Sequence, residues 1–303
     1  MNPFYAVRVP ATTANLGSGF DTLGMALTLY NEVYFTPDEK AEDIIVSAEG
    51  EGAGEIPSGR KNMIVHAMDH TAGILGITVP GGRMQLFNRI PLARGLGSSS
   101  AALAAGIYLA NMIAGEPLSR MDMLRIAADM EGHPDNAAPA VLGGFCMAVI
   151  EEEGVMAERV QIPTDWSAVV AIPAFELMTE KARAVLPTEL SRQDAVHNIG
   201  SVSFLLASFF FQNPALMRRG MEDRIHVPYR MDLIPGAKEA MDHAYEAGAY
   251  GATISGSGPT IIAFAAKGDA RAVGEAMVKG FREKGIAARS EILGFDTEGV
   301  HSF

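Results

Sequence analysis

The chain has a single cysteine, Cys146, in 303 residues, so an intramolecular disulfide framework is impossible. It is also short of basic residues. Twenty-four Lys and Arg stand against 36 Asp and Glu, a formal net charge of −12. A field of that sign argues against nucleic acid and anionic membrane as partners. No Gly-Lys dipeptide occurs, which excludes a Walker A loop. The first ten residues lack the basic segment and apolar core of a secretory signal. The one long uncharged stretch, residues 98–115, opens with three serines and contains Asn111, so it reads as a buried helix and not a membrane span. A cytoplasmic protein is expected. Any anionic ligand must be held by local geometry against the overall charge.

What is present is core material: 48% of the residues are hydrophobic and 20% charged. The length favours two domains. Strand patterns fall at residues 4–9, 31–35, 44–48, 84–90, 143–150, 168–172, 260–265 and 288–293. Helical spacing marks 62–75, the segment after 97, 119–130, 192–211, 236–247 and 270–284. Strands and helices interleave without steady alternation, which predicts two α+β domains. A boundary within 153–165 divides the chain into 1–160 and 161–303.

The most informative segment is Pro91, Leu92, Ala93, Arg94, Gly95, Leu96, Gly97, Ser98, Ser99, Ser100 and Ala101, set between a strand and an alanine-rich helix. Two glycines allow a tight turn and close approach to a ligand. The free N–H groups and dipole at the helix start favour phosphate oxygens, and three serine hydroxyls stand beside them. Gly95-x-Gly97-x-x-Ser100 also has the outline of a degenerate dinucleotide fingerprint. Glu116, the acidic residue downstream, precedes Pro117 in a turn and not at a strand end, which disfavours that alternative.

Three further polar segments accompany the loop: residues 10–21 (PATTANLGSGFD), 131–139 (EGHPDNAAP) and 255–260 (SGSGPT). In this order and spacing the four segments resemble the GHMP kinases over almost the whole chain. The resemblance implies an N-terminal domain like the second domain of ribosomal protein S5 and a ferredoxin-like C-terminal domain. Within the family it is greatest to members acting on an amino acid, through residues 10–21, His133-Pro-Asp-Asn136, Thr179-Glu-Lys-Ala-Arg183 and Pro228-Tyr-Arg230. It implies ATP-dependent phosphorylation of L-homoserine to O-phospho-L-homoserine, a step towards threonine. ATP and Mg²⁺ are the cofactors implied, and a homodimer is the assembly.

The implied roles follow residue by residue. Residues 91–101 wrap the nucleotide phosphates, and Ser99 and Glu131 hold Mg²⁺. Only Gly132 separates Glu131 from His133, a shorter spacing than in some family members. Asp21 meets the substrate ammonium, Arg183 and Arg230 its carboxylate, and Asn15 and Asn136 its hydroxyl. Thr179 belongs to the same substrate set, and His133 and Asp135 shape the hydroxyl pocket. Asn136 stands where relatives acting on other alcohols place an aspartate, so transfer without a side-chain base is expected. Two alternatives stay open: another small-alcohol kinase of the family, or a silent nucleotide-binding regulator. His66 and His70, four apart on a helix, lack a third metal ligand and read as structural. The apolar run 204–211 is expected to face the core or a partner, and the 17 methionines to fill core space.

Overall fold

The computed structural model describes residues 4–160 and 165–303. The first half holds β1 (Tyr5–Ala14), β2 (Leu23–Pro37), β3 (Ile44–Gly50), α1 (Met63–Leu75), β4 (Gly82–Asn88), α2 (Ser98–Ile113), α3 (Arg120–Glu131), α4 (Ala137–Leu142), β5 (Phe145–Glu151) and β6 (Gly154–Val160). Its sheet is organised by the 15-residue β2. The outer half of that strand, Glu32–Pro37, pairs with β4, while its first three residues, Leu23–Met25, pair with β5. β1 runs antiparallel to it throughout, with a bulge at Pro10/Ala11. Helix α2 lies deep in this half, burying Leu103, Ile107 and Leu109 among its alanines. It is the uncharged stretch of the sequence, and its apolar surface is spent on the core. Among the described residues no helix is long and apolar enough to cross a membrane.

The second half holds β7 (Trp166–Pro173), α5 (Thr179–Ala184), α6 (Arg192–Phe210), α7 (Met217–Gly220), α8 (Val227–Met231), α9 (Ala237–Glu246), β8 (Gly251–Ile254), β9 (Ile261–Ala266), α10 (Ala270–Glu283) and β10 (Ala288–Leu293). Its four strands are antiparallel in the order β10-β7-β9-β8. In chain order that is 4-1-3-2, the ferredoxin-like arrangement expected. β7 is buried along its whole length: Val169 and Ala171 join the core beneath α9 and α10, and Ala168, Val170 and Ile172 join the core of the first half. An aromatic joint runs across the two halves: Phe209 of α6 stacks on Phe145 at 4.5 Å and also meets Trp166 and Phe264.

Several elements differ from the sequence expectation. β1 continues through the motif residues to Ala14, because every residue from Val9 to Ala14 is buried and the pairing to β2 persists. β6, β8, α4, α5, α7 and α8 carry no strong periodicity in the sequence; each is short or, like β6, partly charged. The run 204–211 splits. Leu205 and Phe209 are core, whereas Phe210 and Phe211 point outward. The expected boundary at 160/161 adjoins residues 161–164, which lie outside the described residues. The last ten residues return to the first sheet: β11 (His301–Ser302) pairs with β1, and Phe295 bridges to Leu27 of β2.

Candidate active site

Between the halves lies a cavity of about 450 Å³, and its walls are the motif segments. The first wall is the loop between β4 and α2. Gly97 caps α2 in the left-handed region (φ 70°), so the N–H groups of Ser98, Ser99 and Ser100 open the helix toward the cavity. A Cβ on Gly97 would come within 1.8 Å of Thr12 Oγ1, and one on Gly95 (φ 72°) within 2.2 Å of the Ser255 carbonyl oxygen. Both glycines are therefore required by close approach as well as by backbone angle. The loop is pinned from two directions. Thr12 N–H donates to the Leu96 carbonyl at 3.1 Å, and Ser255 Oγ lies 2.6 Å from the Gly95 carbonyl oxygen. Arg94 reaches the second half, donating to the Pro173 carbonyl and pairing with Glu176 at 3.1 Å.

Ala93, Arg94, Gly95, Gly97, Ser98, Ser99 and Ser100 all line the cavity. Pro91, Leu96 and Ala101 are buried supports. Leu92 and Ala101 face a second, mostly apolar cavity of about 270 Å³ that shares Met63, Ala93, Ser98 and Ser99 with the first. Its walls include Val33, Ile56, Asn62, Ile64 and Leu86. Nothing in the sequence reading pointed to this slot, because its residues come from β1, β2, α1, β4, α2 and the loops between them and form no contiguous motif.

The second wall runs from the end of α3 into α4. Glu131 is the last residue of α3, and Gly132 (φ 82°) turns the chain so that His133, Asp135 and Asn136 face the same cavity. The short spacing thus still brings Glu131 beside the following motif. Both Glu131 oxygens lie 2.6 Å from Ser100 Oγ. Ser99, the serine expected to partner Glu131, is directed elsewhere: its hydroxyl lies 3.3 Å from Met63 Sδ. The helical turn explains the exchange, since Ser100 points inward and Ser99 outward. Burial, opposed by the charge of His133 and the Ser100 hydrogen bond, pushes the Glu131 carboxyl up to about 7.

His133 Nδ1 lies 2.7 Å from Asp135 Oδ1, which also accepts the Asn136 N–H at 3.0 Å. Burial pulls the His133 pKa down, but the hydrogen bond to Asp135 and the charges of Asp135 and Glu131 outweigh it and raise the value. Asn136 Oδ1 accepts the Thr12 hydroxyl at 2.7 Å, which leaves the amide nitrogen as the group presented for other partners.

The third wall is formed by Asn15, Thr179, Arg183 and Arg230, with Asp21 outside the lining but paired to Arg183. Asn15 (φ 67°) is buried; its Oδ1 accepts the Asp21 N–H at 3.0 Å and its Nδ2 donates to the Gly256 carbonyl at 2.9 Å. Asp21 and Arg183, expected to meet opposite ends of one ligand, also meet each other in a bidentate pair at 3.0 and 2.7 Å. Thr179 Oγ1 lies 3.3 Å from Ser257 Oγ at the cavity edge. Arg230, expected at the substrate carboxylate, is only 1% exposed and lines the cavity. Two residues missed by the sequence reading support it. Phe20 lies under both guanidinium groups, 5.4 Å from Arg230 and 5.7 Å from Arg183. His226, one helical turn before Arg230, contacts it at 3.2 Å. The i, i+4 spacing of His226 and Arg230 was the available signal. His66 sits on the cavity rim; His70 does not line it, and among the described residues no three His, Cys, Asp or Glu gather as a metal cage.

Comparison with known proteins agrees with this architecture. A family model described as GHMP kinases N terminal domain matches residues 61–144, and one described as GHMP kinases C terminal matches residues 205–283. A homoserine kinase of Moorella thermoacetica is 46% identical over 280 residues, covering 92% of this chain and 93% of that protein. One of Desulfitobacterium hafniense is 42% identical over 294 residues, covering 97% and 98%. The crystal structure of homoserine kinase from Cytophaga hutchinsonii superposes with a TM-score of 0.90 at 32% identity, covering 100% of this chain and 98% of that one. A mevalonate kinase structure shares the fold at 13% identity and a TM-score of 0.71, covering 97% and 99%.

Proposed function

The chain belongs to the GHMP kinases, an ATP-using family, and from that premise we propose that it transfers the γ-phosphoryl group of ATP to the hydroxyl of L-homoserine, giving O-phospho-L-homoserine and ADP. The observation that carries this reading is the content of one cavity. A glycine–serine helix start forms one wall, and Arg183 and Arg230 belong to another. The first complements phosphate and the second an amino-acid carboxylate. The adjoining apolar slot is where we place the nucleotide base, because it opens directly onto Ser98 and Ser99.

In this reading the phosphates lie against residues 93–100, and Asp21 takes the substrate ammonium. Catalysis of phosphoryl transfer is mainly positioning and charge neutralisation. The Glu131 carboxylate fits a cation, since burial leaves its charge uncompensated and, among the described residues, its oxygens have only the Ser100 hydroxyl as hydrogen-bond partner. We assign Glu131 and the Ser100 hydroxyl beside it to Mg²⁺, in place of the Ser99 hydroxyl expected from the sequence; the ion when bound would supply positive charge to the transferring phosphate. Asn136 orients the hydroxyl through its amide N–H. Because an amide is no base near neutral pH, the hydroxyl oxygen forms its bond to phosphorus as the bond to the ADP oxygen breaks, and the proton leaves to a phosphate oxygen or water.

A coupled ADP-release assay with homoserine, mevalonate, galactose and shikimate tests this. Turnover of homoserine alone, with O-phosphohomoserine identified by mass, is the expected result. Turnover only of another alcohol assigns the site to a different branch of the family. ATP binding with no transfer to any acceptor assigns the chain to a regulator.

A further inference from the structure

Arg230 is a buried cation whose surroundings are unusual. Among the described residues it forms no ion pair; its Nε donates to the Ala182 carbonyl at 3.1 Å and its NH1 to the Gly256 carbonyl at 3.1 Å. The remaining polar neighbour of NH1 is His226 Nδ1, at 3.2 Å. A guanidinium has only donors, so Nδ1 must be the acceptor. On the other side of the ring, His226 Nε2 lies 2.8 Å from the Gly17 carbonyl, an acceptor only, so Nε2 must carry the hydrogen. These two contacts fix one neutral tautomer without any spare donor.

The elements packed around this ring maintain that state. Asp223 lies 3.8 Å from Nε2, but its carboxylate is occupied by the N–H groups of Ile225, His226 and Val227 and by Asn198 Nδ2. Phe20 stacks on the imidazole at 5.1 Å and 27°. Gly17 packs closely on the Met221 backbone, where a Cβ would meet the carbonyl oxygen at 2.3 Å. The loop carrying Asn15 and Asp21 is therefore tied through Gly17 and His226 to the guanidinium of Arg230.

We propose that His226 is a positioning residue: its Nδ1 lone pair orients Arg230 so that the guanidinium faces the carboxylate of the acceptor, giving the site its preference for carboxylate-bearing alcohols. The inference rests on the homoserine reading above. It assigns to a fully buried histidine, remote from the transferred phosphate, the choice between an amino acid and an amino alcohol.

Two substitutions separate the contacts. His226→Asn keeps an acceptor near the Nδ1 position, whereas His226→Gln keeps a donor near Nε2 and loses the acceptor. The readout is kcat/KM for L-homoserine relative to 3-aminopropan-1-ol, its counterpart without the carboxylate, with KM for ATP measured alongside. The Gln variant should lose about tenfold or more of that preference, the scale of one hydrogen bond to a charged group, through KM for homoserine and with KM for ATP unchanged. The Asn variant should retain most of it. Equal preference in wild type, Asn and Gln enzymes overturns the proposal while leaving homoserine turnover standing; a wild type inactive on homoserine overturns the functional reading itself. Nitrogen-15 spectra of the wild-type histidines give a test independent of whether either variant folds. A neutral Nε2–H tautomer for His226 is expected, and an imidazolium or an Nδ1–H tautomer near neutral pH refutes the positioning role.

Discussion

Replacing Gly97 with alanine isolates the contact that shapes the phosphate loop. The added methyl would stand 1.8 Å from Thr12 Oγ1 and 3.2 Å from Asn136 Oδ1, in a residue held at φ 70°. Left-handed backbone costs an alanine roughly 1–2 kcal/mol. Thr12 is fully buried and donates to Asn136 at 2.7 Å, so pushing its hydroxyl aside leaves polar groups unpaired, at a further cost of roughly 1–3 kcal/mol. The expected loss is about 2–5 kcal/mol. Gly76→Ala is the control: Gly76 has a similar φ of 67° at the end of α1, yet nothing lies within 4 Å of its Cβ position. It should lose only the roughly 1–2 kcal/mol of the left-handed backbone itself. Urea unfolding followed by the fluorescence of Trp166, the only tryptophan and packed against Phe209 and Tyr250, measures both. If Gly97→Ala is no less stable than Gly76→Ala, the close packing of Thr12, Gly97 and Asn136 is not what holds the loop.

Glu131→Gln should bind Mg²⁺–ATP more weakly yet be more stable in metal-free buffer. The wild-type carboxyl moves from 4.5 to about 7 on folding, so its ionisation opposes folding increasingly as pH rises through that window. The Gln variant's advantage, up to about 3 kcal/mol in urea titrations at pH 8, should vanish below about pH 4.5; a pH-independent difference would contradict it. Asp21→Asn removes one side of a pair in which both side chains are about a third exposed, at 34% and 36%. Solvent screening limits its stability cost to about 1 kcal/mol or less, while KM for homoserine should rise about tenfold in steady-state assays; a change in KM for ATP instead would relocate Asp21. Cys146 is fully buried, and burial pushes its thiol up to about 12. At pH 8 about one thiol in 10⁴ is ionised, so an aromatic disulfide reagent should label it only after denaturation.

The site was legible wherever chemistry is written contiguously. Gly95-Leu-Gly97 followed by three serines determines a turn and a helix start that attract phosphate, whatever surrounds them. Helices with a clear stop or cap were equally legible: Gly76 ends α1 in the left-handed region, and Ser119 with Asp122 closes a capping box before α3. The expected ferredoxin-like order of the second half followed from resemblance, and the pairing of its strands bears it out.

Tertiary structure decided what depends on side-chain direction and on partners distant in the chain. Ser99 and Ser100 are adjacent letters, but a helical step of about 100° sends one outward to Met63 and the other inward to Glu131. Nothing in the sequence marks Arg230 as buried; the fold encloses it among Ala182, Gly256 and His226, 26 to 48 residues away apart from the last. The apolar slot and the return of β11 to β1 likewise have no local signature, because each is assembled from segments that become neighbours only after folding. By itself the sequence determined which groups the chain carries: a glycine–serine turn opening a helix, the carboxylate of Glu131 before His133-Pro-Asp-Asn136, and the guanidinium groups of Arg183 and Arg230. Which atoms of those groups face one another was settled by packing, because direction in space is a property of the assembled core and not of the residue order.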